Sequence, residues 1–487
     1  MHVYMIGVSG AGMGALAALF REAGNDVSGS DVRFDPPMGP TLLAHGVKCL
    51  TGYEADHLEP KPDLVVVGNA VGKGNPEAET AQRLGVERTS MSAALRRFFL
   101  AKRTPLVVTG THGKTTTSAM CAWLLLQAGL EPGWFIGGLP KGLPAAARAG
   151  ATRVRVAALD KHGQARSPFV IEGDEYDDVY WHKKPKFLDY VGVGPNDVVV
   201  VTSVEHDHLD IYPDVDSYER AFRALVRQVP KGGLVICNAR DERARAIAQE
   251  EAVARIAWFA LERDDTGGMV PTWLAAPSAP LADGAQTFDL FAGGVACGRF
   301  VLRVPGLHNV RNAVAAIAAS AEGFGVSIDD ARAQMARFEG VRRRQELLGQ
   351  PRGVYVYDDF AHHPTAVHET LRALRSRHPS GTLWAVFEPR SATACRALHQ
   401  QAYARAFDAA DRVLLAPLGR TNLPENDRLD LDRLARDLGE RATRAGGVDA
   451  IVARIVEGAR PGDVVAILSN GAFGGIQNKL LTELATR

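Results

Sequence analysis

Three times along the chain a short apolar, β-branched run ends in a glycine-rich or polar turn and passes into a segment of helical period. The first run covers residues 3–6, its turn residues 7–14, and its alanine-rich helix extends to about residue 23. The second runs over 105–108, with a turn at 109–114 and a helix through Trp123 and Leu126. The third runs over 354–357, with a turn at 358–364 and a helix to about residue 377. Strand–turn–helix units in series predict an α/β fold of parallel sheets covered by helices. Ligands on such sheets sit beyond the carboxyl ends of the strands, so the turns are where chemistry is expected. Stretches near 98–104 and 338–344 separate the units and divide the chain into 1–103, 104–340 and 341–487. Residues 264–298, rich in Gly, Pro, Ala and Thr with short alternating pieces, predict hairpins at the edge of the middle domain. Residues 145–167 are polar and irregular, the pattern of an exposed loop.

The 487 residues suit about three domains of ~150 residues each. Lys+Arg and Asp+Glu both number 56. This balance excludes an evidently basic nucleic-acid binder and an acidic disordered tail. The five cysteines are scattered without CxxC spacing, which argues against a disulfide framework or a zinc knuckle. The amino terminus lacks a basic region followed by an apolar one, and no apolar run reaches the ~18 residues a membrane span needs. A cytoplasmic enzyme without nucleic-acid or membrane partners is the expectation.

The strongest local signal is Thr109-Gly110-Thr111-His112-Gly113-Lys114-Thr115-Thr116, between an apolar strand and a helix. Glycines let backbone N–H groups converge on phosphate oxygens, and the helix terminus adds positive partial charge. Lys114 would reach the β- and γ-phosphates and the Thr115 hydroxyl would bind Mg²⁺. The apolar run 169–171 ends in Glu172-Gly173-Asp174-Glu175-Tyr176-Asp177, and Glu172, nearest the strand, is the candidate hard-oxygen ligand for that ion. The run 198–201 leads to Glu205-His206-Asp207-His208-Leu209-Asp210, which could hold a metal or orient a phosphate. Residues 7–14, including Gly10, Ala11, Gly12 and Met13, resemble a diphosphate-binding glycine turn, with Asp31 placed as a ribose-binding acid would be. Asn309 opens a helix and would recognise a base edge or cap the helix. Asp358-Asp359-Phe360-Ala361-His362-His363-Pro364 ends the first strand of the third unit and suggests a further site.

These motifs, in this order, resemble the Mur ligases of peptidoglycan synthesis over essentially the whole chain. The carriers are residues 110–116, Glu172, Asp207-His208-Leu209-Asp210, His308-Asn309-Val310-Arg311-Asn312 and Asp359 to Pro364. The resemblance implies three domains: a Rossmann-like one for a UDP-sugar, a central P-loop ATPase domain, and a Rossmann-like ligase domain. It implies ATP-dependent amide formation through an acyl phosphate, with Mg²⁺, on UDP-N-acetylmuramate, in a monomer or weak homo-oligomer. Gly10, Ala11, Gly12 and Met13 would hold the diphosphate, Ser30 and Asp31 the uridine, and Asn69 and Ala70 would face the same ligand. Gly110, Thr111, His112, Gly113, Lys114, Thr115 and Thr116 would bind the ATP phosphates, and Asn309 and Asp359 would lie around the adenosine. Thr115, Glu172 and His208 would hold the metal. Arg343, Arg344, His362 and Arg390 would face the shared cleft, with His208 and His362 both candidates to take the amine's proton. The wording at 172–177, 387–391 and 469–476 points to a murein tripeptide, L-alanyl-γ-D-glutamyl-meso-diaminopimelate, as acceptor, with Arg390, Ser391, Asn470 and Gly471 along its site. L-Alanine is the alternative acceptor. Arg223 stands where several family members carry a carbamylated lysine, so that carbamate is expected to be absent.

Two other classes fit parts of the chain. A nicotinamide-dependent oxidoreductase would use residues 7–14 and Asp31 but leaves Lys114, Glu172 and His208 without roles. A nucleotide sensor would leave Lys114 idle.

Overall fold

The computed structural model describes residues 1–151, 167–281, 283–420 and 422–486. The fold is α/β and is built on three sheets. The first is wholly parallel, in the order Lys48–Thr51, Asp26–Asp31, His2–Ile6, Leu64–Val67, Glu87–Ser90. The second has ten strands and centres on Val198–Val201, Thr104–Thr109 and Pro168–Glu172, mutually parallel. Its one end is closed by antiparallel hairpins of Trp273–Ser278, Gln286–Ala292 and Val295–Leu302, the edge hairpins the sequence pattern predicts. The third has six strands in the order Glu346–Gly349, Tyr355–Asp359, Val464–Leu468, Leu383–Phe387, Arg412–Leu415, Ala442–Arg444, with only the first antiparallel.

The predicted elements are found with small shifts at their ends. The third unit's strand runs on through Asp358 and Asp359, which pair in register with Ile467 and Leu468 instead of opening the turn. Most of the loop expected at 145–167 lies outside the described residues; at its start, Ala147–Arg148 forms a short edge strand against Gly133–Phe135.

Packing divides the three sheets unequally. One apolar core runs without a break from Phe20 and Phe99 through Phe135 and Phe169 to Phe187 and Phe222, joining the first sheet to the second. The third sheet carries separate cores on its two faces, one around Phe387, Tyr403 and Leu434, the other around Trp384, Ile451 and Ile476. Its contacts with the central part include polar side chains, the packing of Ala373 on Gly306, and the segment 340–345, where Gly340, Arg343 and Gln345 all take positive φ. A polar boundary is easier to part than a shared core.

Candidate active site

The phosphate loop leaves the middle of the central sheet. Gly110 takes φ +123°, and a Cβ there would collide with Thr202 and Ser203 of the neighbouring strand end. Thr111 Oγ1 donates to the Glu205 carbonyl at 2.7 Å, and His112 N donates to Ser203 Oγ at 3.1 Å, so the loop is strapped to the turn beside it. Helix Lys114–Gln127 begins at Gly113 with no capping side chain. The first N–H groups of such a helix have no intrahelical partner and are available to an anion.

Adjacent loop residues face different carboxylates. Thr115 Oγ1 donates to Glu172 Oε1 at 2.8 Å, and Glu172 Oε2 accepts from Gly137 N at 2.7 Å. Lys114 Nζ donates to the Gly110 carbonyl at 2.6 Å and lies 3.0 Å from Oε1 of Glu175. Glu175 is fully buried and also meets His208 Nε2 at 3.1 Å and Tyr218 Oη at 3.2 Å. The expected metal set is thus divided: Thr115 and Glu172 are in contact, whereas His208 is engaged by Glu175. Burial works against the charged form of Glu175, but Lys114 and His208 outweigh it and hold its carboxyl down to about 2. Burial likewise works against charge on His208, and Glu175 and Asp207 reverse it, raising its pKa.

Two cavities flank the loop. One, about 780 Å³, lies between the central sheet and the third domain; His112, Gly113, Thr115, Thr116, Asn309, Arg344 and Asp359 are on its walls. The other, about 640 Å³, runs from the amino-terminal turn, with Gly10, Ala11, Gly12, Met13, Asp31, Asn69 and Ala70, to Lys114 and Glu172. Lys114 and Thr115 therefore open onto opposite cavities across a single turn of backbone. At the second cavity, helix Ala11–Glu22 also starts without a capping side chain, and its first residues Ala11, Gly12 and Met13 are on the wall. Asp31 accepts from Ser9 N at 2.8 Å and closes that turn.

Other expected residues stand elsewhere. Ser30 is fully buried and donates to Glu77 at 2.5 Å, so its side chain lies behind the cavity wall. Asn309 is not the helix cap, a position held by Gly306; its amide donates back to the Pro305 carbonyl at 2.7 Å. Arg344 reaches Thr115 Oγ1 at 3.1 Å. Arg343 turns the other way and donates to the Ser469 and Gly471 carbonyls at 2.8 and 2.6 Å and to Asp358 at 3.2 Å, which makes it a clamp on the linker, not a cleft residue. His362 lines neither cavity; its Nδ1 bonds the Phe360 carbonyl at 3.0 Å, and burial lowers its pKa. Asp359 is buried and accepts from Gln345 N and Ala361 N, both at 2.7 Å.

The four expected peptide residues share one end of the third sheet. Arg390 is exposed, forms no ion pair among the described residues, and lies over Gly471 so closely that a Cβ there would collide with its guanidinium. Ser391 caps the following turn by accepting from Ala394 N at 2.9 Å. Asn470 Oδ1 is buried without a partner among the described residues. Arg223 pairs with Glu250 and Glu251 on the neighbouring helix, so this side chain is taken up by ion pairs. Glu175 is the residue sequence reasoning missed; among the acids of 172–177 no local signal distinguishes it.

Three family models match in succession: the catalytic domain of the Mur ligase family over residues 2–103, the Mur ligase middle domain over 108–320, and the glutamate ligase domain of Mur ligases over 343–471. The UDP-N-acetylmuramate–L-alanyl-γ-D-glutamyl-meso-2,6-diaminoheptandioate ligase of Escherichia coli is 36% identical, covering 100% of this chain and 99% of the relative. The UDP-N-acetylmuramate–L-alanine ligase of a Roseiflexus species is 34% identical, covering 97% of this chain and 96% of its own. The crystal structure of a murein peptide ligase from Psychrobacter arcticus is 33% identical, with a TM-score of 0.71 over 100% of this chain and 99% of that one.

Proposed function

The chain belongs to the Mur ligase family, and from that premise we propose that it joins UDP-N-acetylmuramate to L-alanyl-γ-D-glutamyl-meso-diaminopimelate with conversion of ATP to ADP and phosphate, in the cytoplasm, where both nucleotides are supplied. The observation that carries this reading is the cavity shared by the amino-terminal glycine turn and Lys114. A UDP-sugar with its diphosphate on residues 10–13 would extend its sugar carboxylate toward the phosphate loop. ATP would enter from the opposite cavity, past Asn309 and Asp359. Residues 1–103 would then bind the UDP-sugar, 104–340 ATP, and 341–487 the peptide.

The chemistry follows. A carboxylate oxygen attacks the γ-phosphorus, the bond to the β-phosphate oxygen breaks, and an acyl phosphate and ADP result. Lys114 spreads the charge on the transferred group, as a preorganised cation does. The peptide amine then adds to the acyl carbon, phosphate leaves, and the amine loses a proton. His208 and His362 are the two candidates to accept it: His208 is held by Glu175 beside Lys114, and the neutral His362 ring, which burial favours, has Nε2 as acceptor but lines neither cavity. Mg²⁺ suits Thr115 and Glu172, two hard oxygens already in contact beside the loop. When bound it would neutralise developing phosphate charge. Arg344 would add a second cation from the third domain.

Phosphate release tests the reading. It should require ATP, UDP-N-acetylmuramate and the tripeptide together; release at equal rate without the UDP-sugar would remove the first domain from the reaction.

A further inference from the structure

Where the phosphate loop meets the third domain, side chains from three separate elements converge. His112 of the loop donates from Nε2 to Oε2 of Glu205 at 2.7 Å. His363, at the amino terminus of helix Pro364–Arg377, brings Nδ1 to 3.9 Å from the same oxygen. The two imidazole rings are 4.9 Å apart, centre to centre. One donor atom from each of the three lies within 4.8 Å of the other two. His363 is 3% exposed, yet its Nε2 has no partner among the described residues. Its capping contact with Thr365 N is long, at 3.4 Å. A buried nitrogen left unpaired is costly. The nitrogen that faces Glu205 is Nδ1, so ligation there would replace this long cap, while Nε2 is the other ring nitrogen.

We infer that His112, Glu205 and His363 form a site for a borderline-soft divalent ion, Zn²⁺ above all, that clips the phosphate loop to the third domain. Two imidazoles and a carboxylate are the donor set of zinc, whereas Mg²⁺ takes oxygens. Ligands of a tetrahedral zinc stand roughly 3.3–3.6 Å from one another. The present triangle needs only a small opening of the His112–Glu205 pair and a modest approach of His363. Thr365 Oγ1 donates to the other Glu205 oxygen at 2.9 Å and would orient the ligating carboxylate, as outer partners of metal ligands do. Water would complete the coordination. This site is separate from the Thr115–Glu172 pair. Occupied, it would hold the ATP-side cavity shut and slow turnover, since nucleotide must enter and leave there.

The test uses the metal-free full chain without substrates, so its outcome does not depend on the acceptor assigned above. Titration with Co²⁺ in excess Mg²⁺ should give the strong visible absorption of a four-coordinate ion at one equivalent, and Zn²⁺ should abolish it. His363→Asn keeps an oxygen to cap the helix but removes a ligand; it should weaken Zn²⁺ binding at least ~10-fold with an unchanged circular dichroism spectrum. Only the weak absorption of six-coordinate Co²⁺ in the unaltered protein overturns the inference, whatever the variant does. So does Zn²⁺ binding of equal strength in both proteins.

Discussion

Lys114 lies against both carboxylate oxygens of Glu175, 3.0 Å from Oε1 and 2.9 Å from Oε2. The phosphate-loop lysine is therefore not held ready in solvent. An internal anion neutralises it, and an incoming phosphate must compete for it. Glu175 also holds His208, so one buried carboxylate fixes two groups of the proposed site.

Glu175→Gln should expose this arrangement. Breaking a buried pair by removing one charge costs about 3–5 kcal/mol, so the variant should melt earlier than the wild type in the absence of nucleotide. Saturating MgATP should recover part of the loss, because phosphate supplies the missing anion. The pH dependence gives a second reading. The folded-state pKa of Glu175 is depressed from 4.5 to about 2, so its contribution is complete above pH 4.5 and disappears as pH falls toward 2. Glu175→Gln should lack that acid limb. Equal melting of both proteins without nucleotide would show that the pair is not coupled to stability.

Lys114→Ala removes the point charge and leaves the backbone of the loop. Turnover should fall by at least ~10³-fold, the scale of a lost transition-state charge partner. UDP-sugar binding, read by calorimetry, should change little, since residues 10–13 stand at the other end of that cavity. A variant with more than a tenth of normal turnover would remove Lys114 from the chemistry.

Glu172→Gln keeps the shape beside Thr115 but takes away the charge that suits Mg²⁺. The Mg²⁺ concentration for half-maximal rate should rise at least ~10-fold, comparable to losing a metal-site partner. His208→Ala should disturb the Mg²⁺ titration less and turnover more, because His208 meets Glu175 and not the Thr115–Glu172 pair. Identical titrations for Glu172→Gln and the wild type would make Glu172 a structural acceptor for Gly137.

Elements of the fold were legible where apolar runs met glycine turns, since the period and the punctuation come from the same few residues. Thr115 and Glu172 were legible for the same reason: Glu172 ends one strand, Thr115 follows the turn after the neighbouring one, and strand ends of a parallel sheet share an edge. Direction of a side chain after such an edge was not. Glu172 and Glu175 look alike in sequence, and only the path of the chain beyond Gly173 turns Glu175 under Lys114. Arg343 and Arg344 are neighbours of equal character, yet a φ of +60° at Arg343 sends it to the third domain's carbonyls while Arg344 goes to Thr115. Ser30 was misplaced because its partner, Glu77, is 47 residues away in sequence.

Acceptor choice turns on the end of the third sheet. A free amino acid presents one carboxylate close to its amine, whereas the tripeptide brings further carboxylates at a distance. Arg390 meets that need: it follows strand Leu383–Phe387, is exposed, and has no carboxylate partner among the described residues. Gly471 leaves room for its guanidinium. The enzyme should therefore use the tripeptide at least ~10²-fold better than L-alanine, a discrimination that a built polar site supplies. Arg390→Ala should raise the KM for tripeptide with little change in that for ATP. Gly471→Ala retains the charge but displaces the guanidinium, so it should reproduce the defect in tripeptide use. If Arg390→Ala impairs the enzyme and Gly471→Ala does not, the arginine acts through charge alone and its placement is unimportant. If L-alanine proves the better acceptor, the peptide site is elsewhere or absent, and the L-alanine ligase reading takes its place.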